Sequence, residues 1–404
     1  LSDFGEQAGF SVVIEEERFP EDLDLLVRSG SAIDIAVVPT PETIQEWFTD
    51  GFSQPLDADL VAAVDASWPI GASAAITTGD GQRRGVPFSA DPKSLVFYRP
   101  GQFDELGLSV PTTLDEFTAL VETNAGGSVP PLCVGIESAS ATGWVFTDWV
   151  EDYVLRQHGT EVYEQWTRHE IPFDDPRIVS SMQAVLDLWA GDNVFASEGS
   201  IATTSFSRSI DDFEAGNCLM HRQASFATSF FGPLTPLVDA SFDASARPEA
   251  VAVFVLPGAD TSVSAPVTVF QDWAVPVGAG PISPSTAAVL EFMATATFAD
   301  EMRRAASDDL MFMSLAAGQD LSLLGSFQRS VAEVALAASD VRFDASDRMP
   351  FEVGTGTFWE IGTLMVNGEV TAAAGAAAIE ASWPPCASMS SIPRSRTNQH
   401  PWAG

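Results

Sequence analysis

Aromatic and polar side chains gather in four short segments of the chain. Residues 138–153 (SASATGWVFTDWVEDY) carry Trp144, Asp148 and Trp149 around a helix start. Residues 217–231 (NCLMHRQASFATSFF) set His221, Arg222 and Gln223 between apolar residues. Residues 269–275 (VFQDWAV) place Asp272 and Trp273 at a strand end, and residues 354–362 (GTGTFWEIG) place Phe358 and Trp359 after glycines. Rings beside carboxylates, amides and guanidinium groups suit a sugar. Its C–H patches take aromatic cover, and its rim of hydroxyls takes charge-assisted hydrogen bonds. Plain packing competes at each position. Trp47, Trp166 and Trp189 sit on helix faces and read as core, and Arg222 alone reads as an ion-pair partner. Trp144, Trp273 and Trp359 lie beside glycine or at strand ends, where packing explains them less well.

Signatures of catalysis are missing from the sequence. There is no GxSxG, P-loop, HExxH or GxGxxG at a strand–helix junction. His158, His169, His221 and His400 are scattered outside any triad context. A carboxylate pair for glycoside hydrolysis has no specificity in a chain with 56 acids. Cys133, Cys218 and Cys386 form no CxxC, so no Cys/His metal centre or other cofactor is expected.

The elements that must position these segments alternate between strand and helix. Phe10–Ile14 reads as a strand, and Pro20 to Gly30 as a helix with Pro in its first turn. Ile33–Val38 reads as a buried parallel strand. Thr40-Pro41 opens a helix that Gly51 ends. Ser94–Tyr98 and Val251–Leu256 read as strands, and Phe270–Val277 alternates in strand fashion. Thr113 with Glu116 forms a capping box, while Asp175-Pro176 and Ser283-Pro284 open further helices. Trp149–Arg156 reads as a helix ended by Gly159. Residues from Phe327 to Trp383 read as helix without strands. The order argues an α/β fold with a parallel sheet. At 404 residues two domains are expected, and the lack of a long linker implies that the chain crosses between them more than once.

Composition removes other classes of function. Lys plus Arg number 19 against 56 Asp plus Glu, a net charge of −37. Such a polyanion repels nucleic acid and anionic membrane surfaces. Lys93 is the single lysine, which marks it for a site role. A hydrophobic content of 46% excludes a wholly disordered chain. No apolar stretch reaches the ~18 residues of a membrane span, and no basic and apolar leader opens the chain. The last segment, 384–404, has two Arg and no acid, and reads as disordered or foreign to the fold.

Several stretches resemble the extracellular solute-binding proteins of ABC transporters, in the sugar-binding family that includes the maltose-binding proteins, and within it the α-glucoside branch. They are FGEQAGFSVVIEEE with DIAVVPTPETIQEWFTDGFSQPLD, GVPFSADPKSLVFYRPGQFDELGLSVPTTLDEFTAL (Leu114 replacing the usual Trp), CVGIESASATGWVFTDWVEDYVLR, CLMHRQASF, and FWEIGTLMVNGEVTAAAGAAAIEASW. The resemblance covers Phe4 to Trp383. It implies a two-lobed Venus-flytrap fold with the ligand in the cleft. The N-lobe would be 1–97 plus 257–312 and the C-lobe 98–256 plus 313–383. It implies a non-enzymatic, monomeric receptor outside the cytoplasm that delivers a sugar, an α-glucoside or oligosaccharide, to a permease. A signal peptide, a lipobox Cys and a first strand ahead of Phe4 belong to the family pattern.

The resemblance also implies site residues. Thr40 and Glu42 cap the helix after the second strand. Ser89, Asp91 and Lys93 face the cleft ahead of the crossing strand. Trp144, Asp148, Trp149, Arg222 and Gln223 come from the C-lobe. Asp272 and Trp273 lie at the hinge-side strand end, and Phe358 and Trp359 supply sugar stacking. Cys133 and Cys218 both fall in the C-lobe and are expected to form a disulfide, as an exported protein permits, with two buried thiols as the alternative. A secreted glycosidase and a receptor for a polyamine or metal are the competing expectations.

Overall fold

The computed structural model describes residues 1–384 except 15–19, 40, 69–80, 233, 240–246, 248, 262–263, 279 and 306–311. The tail read as foreign thus falls, from residue 385 on, outside the described residues, as does Thr40. Eleven strands occur among those described: β1 Ile35–Val38, β2 Val86–Pro87, β3 Asp91–Pro92, β4 Leu95–Tyr98, β5 Leu132–Cys133, β6 Val194–Phe195, β7 Met220–Gln223, β8 Ala252–Val255, β9 Val267–Phe270, β10 Trp273–Pro276 and β11 Val341–Phe343. They form three sheets, ordered β1-β10-β2, β11-β9-β3 and β6-β5-β7-β4-β8.

Two separate cores give the molecule its lobes. The first packs Ala36, Trp47, Val64, Val86, Trp273 and Leu290 around the β1-β10-β2 sheet. The second covers one face of the five-stranded sheet with Phe117, Trp149, Tyr153, Trp166 and Phe358. Strand β4 shows how period-two alternation feeds both faces. Val96 and Tyr98 enter this core, while Leu95 and Phe97 enter a smaller one with Cys133, Cys218 and Phe327. Cys133 and Cys218 are joined by a disulfide, with Cα atoms 5.5 Å apart.

The β11-β9-β3 sheet lies where the chain passes between the cores. Ala90 belongs to the first core and Leu95 and Val96 to those on either face of the five-stranded sheet, so β3 sits on the crossing. Leu256 belongs to the second core and Val267 to the first, and Phe343 and Ala345 are divided in the same way.

Helix ends follow the chemistry read from the sequence. Thr113 Oγ1 accepts from Glu116 N at 3.1 Å, Asp175 Oδ1 from Arg177 N at 3.0 Å, and Ser283 Oγ from Thr286 N at 3.1 Å. Each such cap contributes about 1 kcal/mol.

Other expectations fail for physical reasons. Residues 11–14 are irregular and pair with no strand among the described residues; Val13 and Ile14 are exposed. A β-branched run forms no strand without a partner edge. Strand β1 pairs antiparallel with β10, not in parallel, because its neighbour returns from a distant part of the chain. Among the described strands, parallel pairing joins β5 to β6 and β7, and β11 to β9. Strand β11 itself was not foreseen, since three residues leave no period to read. The helix around Trp149 starts earlier than expected, at Trp144; Gly159, with a non-helical φ of 79° and ψ of 176°, breaks it where the sequence places its end, and a second helical stretch follows to Thr167.

Candidate functional site

Three acids point inward from one face of the helix Trp144–Thr167. Asp148, Glu151 and Asp152, at spacings i, i+3 and i+4, share that face and are all buried. They meet cations from the crossing segments and from β7. Lys93, only 6% exposed, donates to Asp148 Oδ1 at 2.9 Å and to Asp344 Oδ2. Arg222 donates from Nε to Asp152 Oδ2 at 3.0 Å and from Nη2 to the Asp148 carbonyl at 3.2 Å. Arg156 donates to Asp152 Oδ1 at 2.7 Å and to the Leu256 and Pro266 carbonyls. Ser94 and Thr268 hydroxyls complete the shell of Asp152 at 2.6 and 3.1 Å. Glu151 accepts from the Ala345 and Ser346 amides at 2.9 and 3.1 Å.

Burial dominates the titration of this network. It pushes Asp148 up to about 6 against the pull of Lys93. It pushes Glu151 well above the carboxylate range, with Asp344 adding to the shift. Burial acts to raise Asp344 too, but Lys93 and the hydrogen bonds outweigh it and bring it to about 2. For Lys93 burial opposes the charge, yet Asp148 and Asp344 raise its pKa well above normal. Three cations thus face four carboxylates, and burial favours the protonated form of Glu151. The network ties β3 and its sequel, β9, the end of β11 and the long helix into one block at the crossing.

A second group combines the partly buried Asp91, Asp272, Trp144, Phe206, Phe226 and Trp359 with the buried Ser89, Gln223 and Ser225. Asp91 Oδ1 accepts from Ser225 Oγ at 2.5 Å, and Asp272 Oδ2 accepts from Ser89 Oγ at 2.6 Å. Burial raises Asp91 to about 6, with neighbouring Asp272 adding to it, and burial also raises Asp272. Ser225 begins a 3-10 turn through Phe230. Phe226 in that turn lies 6.1 Å from Trp144, and Phe206 lies 5.3 Å from Trp144, edge to face. Gly143 then brings Trp359 alongside. Its φ of 113° suits glycine, and a Cβ there would overlap the Trp359 backbone. A continuous line runs from Asp272 through Asp91, Ser225, Phe226 and Trp144 to Trp359. Two neutral donors along it lack partners among the described residues. The Trp359 Nε1 is one, and Gln223 Nε2 is the other, its amide held by Oε1 accepting from Ala224 N at 2.9 Å.

The residues expected at a site therefore divide in two. Ser89, Asp91, Gln223, Trp144, Asp272 and Trp359 fall on or beside the line. Lys93, Asp148 and Arg222 are enclosed in the ion network. Trp149 packs against Phe117, Tyr153 and Trp189, Trp273 lies 5.9 Å from Phe343, and Phe358 packs on Trp166 and Phe173; all three rings are core. Glu42 belongs to the helix Pro41–Asp50, and its side chain is outside the described residues. Sequence reasoning did not name Glu151, Asp152 and Asp344, nor Ser225, Phe206 and Phe226. The inward acids carried a signal, three acids on one face of an otherwise apolar helix. The two Phe carried none, since Phe reads as core.

Comparison with known proteins completes the picture. The chain is 30% identical over 394 residues to the "Osmoprotective compounds-binding protein GgtB" of Synechocystis sp., covering 95% of this chain and 88% of that protein. It is 30% identical over 387 residues to the "Alpha-glucosides-binding periplasmic protein AglE" of Rhizobium meliloti, covering 91% and 79%. Among solved structures, the solute receptor AcbH superposes with a TM-score of 0.72 at 17% identity, covering 94% and 92% of the two chains. RafE from Streptococcus pneumoniae superposes with a TM-score of 0.69 at 19% identity over the same shares. These are two-lobed binding proteins, and the fold is shared with them. Residues 11–303 match the model of the bacterial extracellular solute-binding proteins, and the chain belongs to that family.

Proposed function

We propose that the protein is the substrate-binding component of an ABC importer, working outside the cytoplasm, and that it captures a sugar by lobe closure. The observation carrying this reading is the line from Asp272 to Trp359. It offers rings, carboxylate acceptors and unpartnered neutral donors in one place, which is what a pyranose with its apolar faces and hydroxyl rim needs. The lobes are 1–97 with 257–312 and 98–256 with 313–383, except that Leu315, Ala316, Ala335, Val341 and Phe343 return to the first core and Leu95, Val96 and Phe97 enter the cores on the two faces of the five-stranded sheet. Ligand contacts to both lobes would shift the population towards a closed form that docks on the permease. An α-glucoside or α-linked oligosaccharide is the ligand class favoured by the relative named for α-glucosides. The receptor acts as a monomer, held to the membrane, if at all, through a lipid anchor. Among the described residues no helix is long and apolar enough to cross a bilayer.

Calorimetry against maltose, trehalose, sucrose and raffinose tests this. One of them binds, and Trp359→Ala weakens it by about 1–3 kcal/mol through lost stacking. Unchanged affinity in that variant removes Trp359 from the site. A second reading, glycoside hydrolysis, draws on Asp91 and Asp272 as two partly buried carboxylates with raised pKa values. Turnover of chromogenic glycosides that Asp91→Asn abolishes would establish it instead.

A further inference from the structure

We infer that the line from Asp272 to Trp359 selects its ligand by charge: it accepts neutral or amino-bearing sugars and rejects sugars that carry a carboxylate or phosphate. This rests on the sugar-binding reading above. The cations of the elements that build the line are already engaged. Lys93, Arg156 and Arg222 are enclosed by Asp148, Asp152, Asp344 and backbone carbonyls. Arg208, on the helix that carries Phe206, pairs with Asp212 at 3.1 Å.

What faces a ligand is of the opposite sign or neutral. Asp91 and Asp272 each commit one oxygen to a serine hydroxyl, and the second oxygen of each makes no hydrogen bond among the described residues. Those two oxygens accept from vicinal hydroxyls or an ammonium group. The donors beside the line are uncharged: the Trp359 indole N–H and the Gln223 amide, both buried and without a partner among the described residues, the latter next to the turn whose Ser225 holds Asp91. An anionic substituent would meet two carboxylates in a partly desolvated place with no countercharge. Like charges brought together in a binding site are expected to cost a ~30-fold loss of affinity or more.

The test compares each of maltose, trehalose, sucrose and raffinose with its counterpart oxidised at a primary hydroxyl to the uronic acid, by calorimetry at 0.1 M and 1 M salt. At 1 M the screening length is about 3 Å, so the field of the whole −37 chain is suppressed while contact repulsion survives. The expected result is a neutral sugar that binds and an oxidised counterpart at least ~30-fold weaker at both salt concentrations. Asp91→Asn and Asp272→Asn should each narrow that ratio. An oxidised sugar that binds as well as its parent overturns the inference and leaves the sugar-binding reading standing. A discrimination that vanishes at 1 M salt assigns it to net charge and overturns the local assignment. Failure of every sugar, neutral and oxidised, overturns the reading on which it rests.

Discussion

Replacing Lys93 with Met probes the buried network most sharply. The wild-type set places Lys93, Arg156 and Arg222 against Asp148, Glu151, Asp152 and Asp344, with burial favouring the protonated form of Glu151. Lys93→Met fills a similar volume but leaves Asp344 without a cation and Asp148 with only the Arg222 guanidinium at 3.6 Å, both carboxylate side chains being 2% exposed. Removing one partner of a buried pair costs about 3–5 kcal/mol. For a lobe of this size each kcal/mol moves the melting temperature by about 2–4 °C, so the variant should melt about 10 °C lower at pH 7.5. The pH dependence follows by linkage. Without Lys93 the folded-state pKa of Asp148, already raised to about 6, rises further, and that of Asp344 rises from about 2 to above its unfolded value. A group raised in this way contributes stability that is present at low pH and lost as pH rises through the folded pKa. The deficit should therefore shrink at pH 5. The double variant Lys93→Met/Asp344→Asn restores the charge balance and should recover about half of the loss or more. Thermal melts of the three proteins at pH 7.5 and 5.0 decide. A Lys93→Met protein within about 1 kcal/mol of wild type, or a deficit that grows on acidification, would refute the network as described.

The wild type should itself be more stable at pH 5 than at pH 7.5. Asp91 and Asp148, both raised to about 6, take up protons in that window, worth about 1–3 kcal/mol together, as urea titrations would show. A stability that falls over this range contradicts both shifts. Reduction of the Cys133–Cys218 bridge, which spans 85 residues, should lower the urea midpoint by the equivalent of about 4–5 kcal/mol. An unchanged midpoint with and without dithiothreitol would show that the bridge does not contribute. Lys93 carries the only lysine ammonium in the chain, so amine acylation of the native protein followed by mass spectrometry should modify the terminal amine alone, and Lys93 only in urea. Rapid native labelling of Lys93 would show that the block opens.

Local chemistry was readable where one residue decides the outcome. Thr113, Asp175 and Ser283 fix helix starts because their oxygens satisfy amides that nothing else can reach. Pairing direction was not readable, because β10 meets β1 from some 240 residues away and no local period encodes that. The site shows the same division. Trp144 and Trp359 stood out beside glycines, and Gly143 is what lets the Trp359 backbone approach the start of the helix that Trp144 opens. Lys93 and Arg222 stood out by rarity and company, yet residue type does not reveal which side of a sheet a cation enters. The spacing of Asp148, Glu151 and Asp152 did hold that information, since three acids on an apolar helix face need buried partners. Phe206 and Phe226 could be recognised only once the turn from Ser225 set them against Trp144.

The central claim is that a sugar held along the line from Asp272 to Trp359 draws the lobes together. Fluorescence energy transfer between one dye on the first lobe, at Asp59, and one on the second, at Asp187, each introduced through an exposed cysteine, measures it directly. Titration with the sugar that binds best in calorimetry should raise transfer efficiency to saturation with the calorimetric affinity, and Trp359→Ala should shift that curve to higher concentration. Saturating sugar with no change in transfer, or a change that Trp359→Ala leaves in place, would contradict the account.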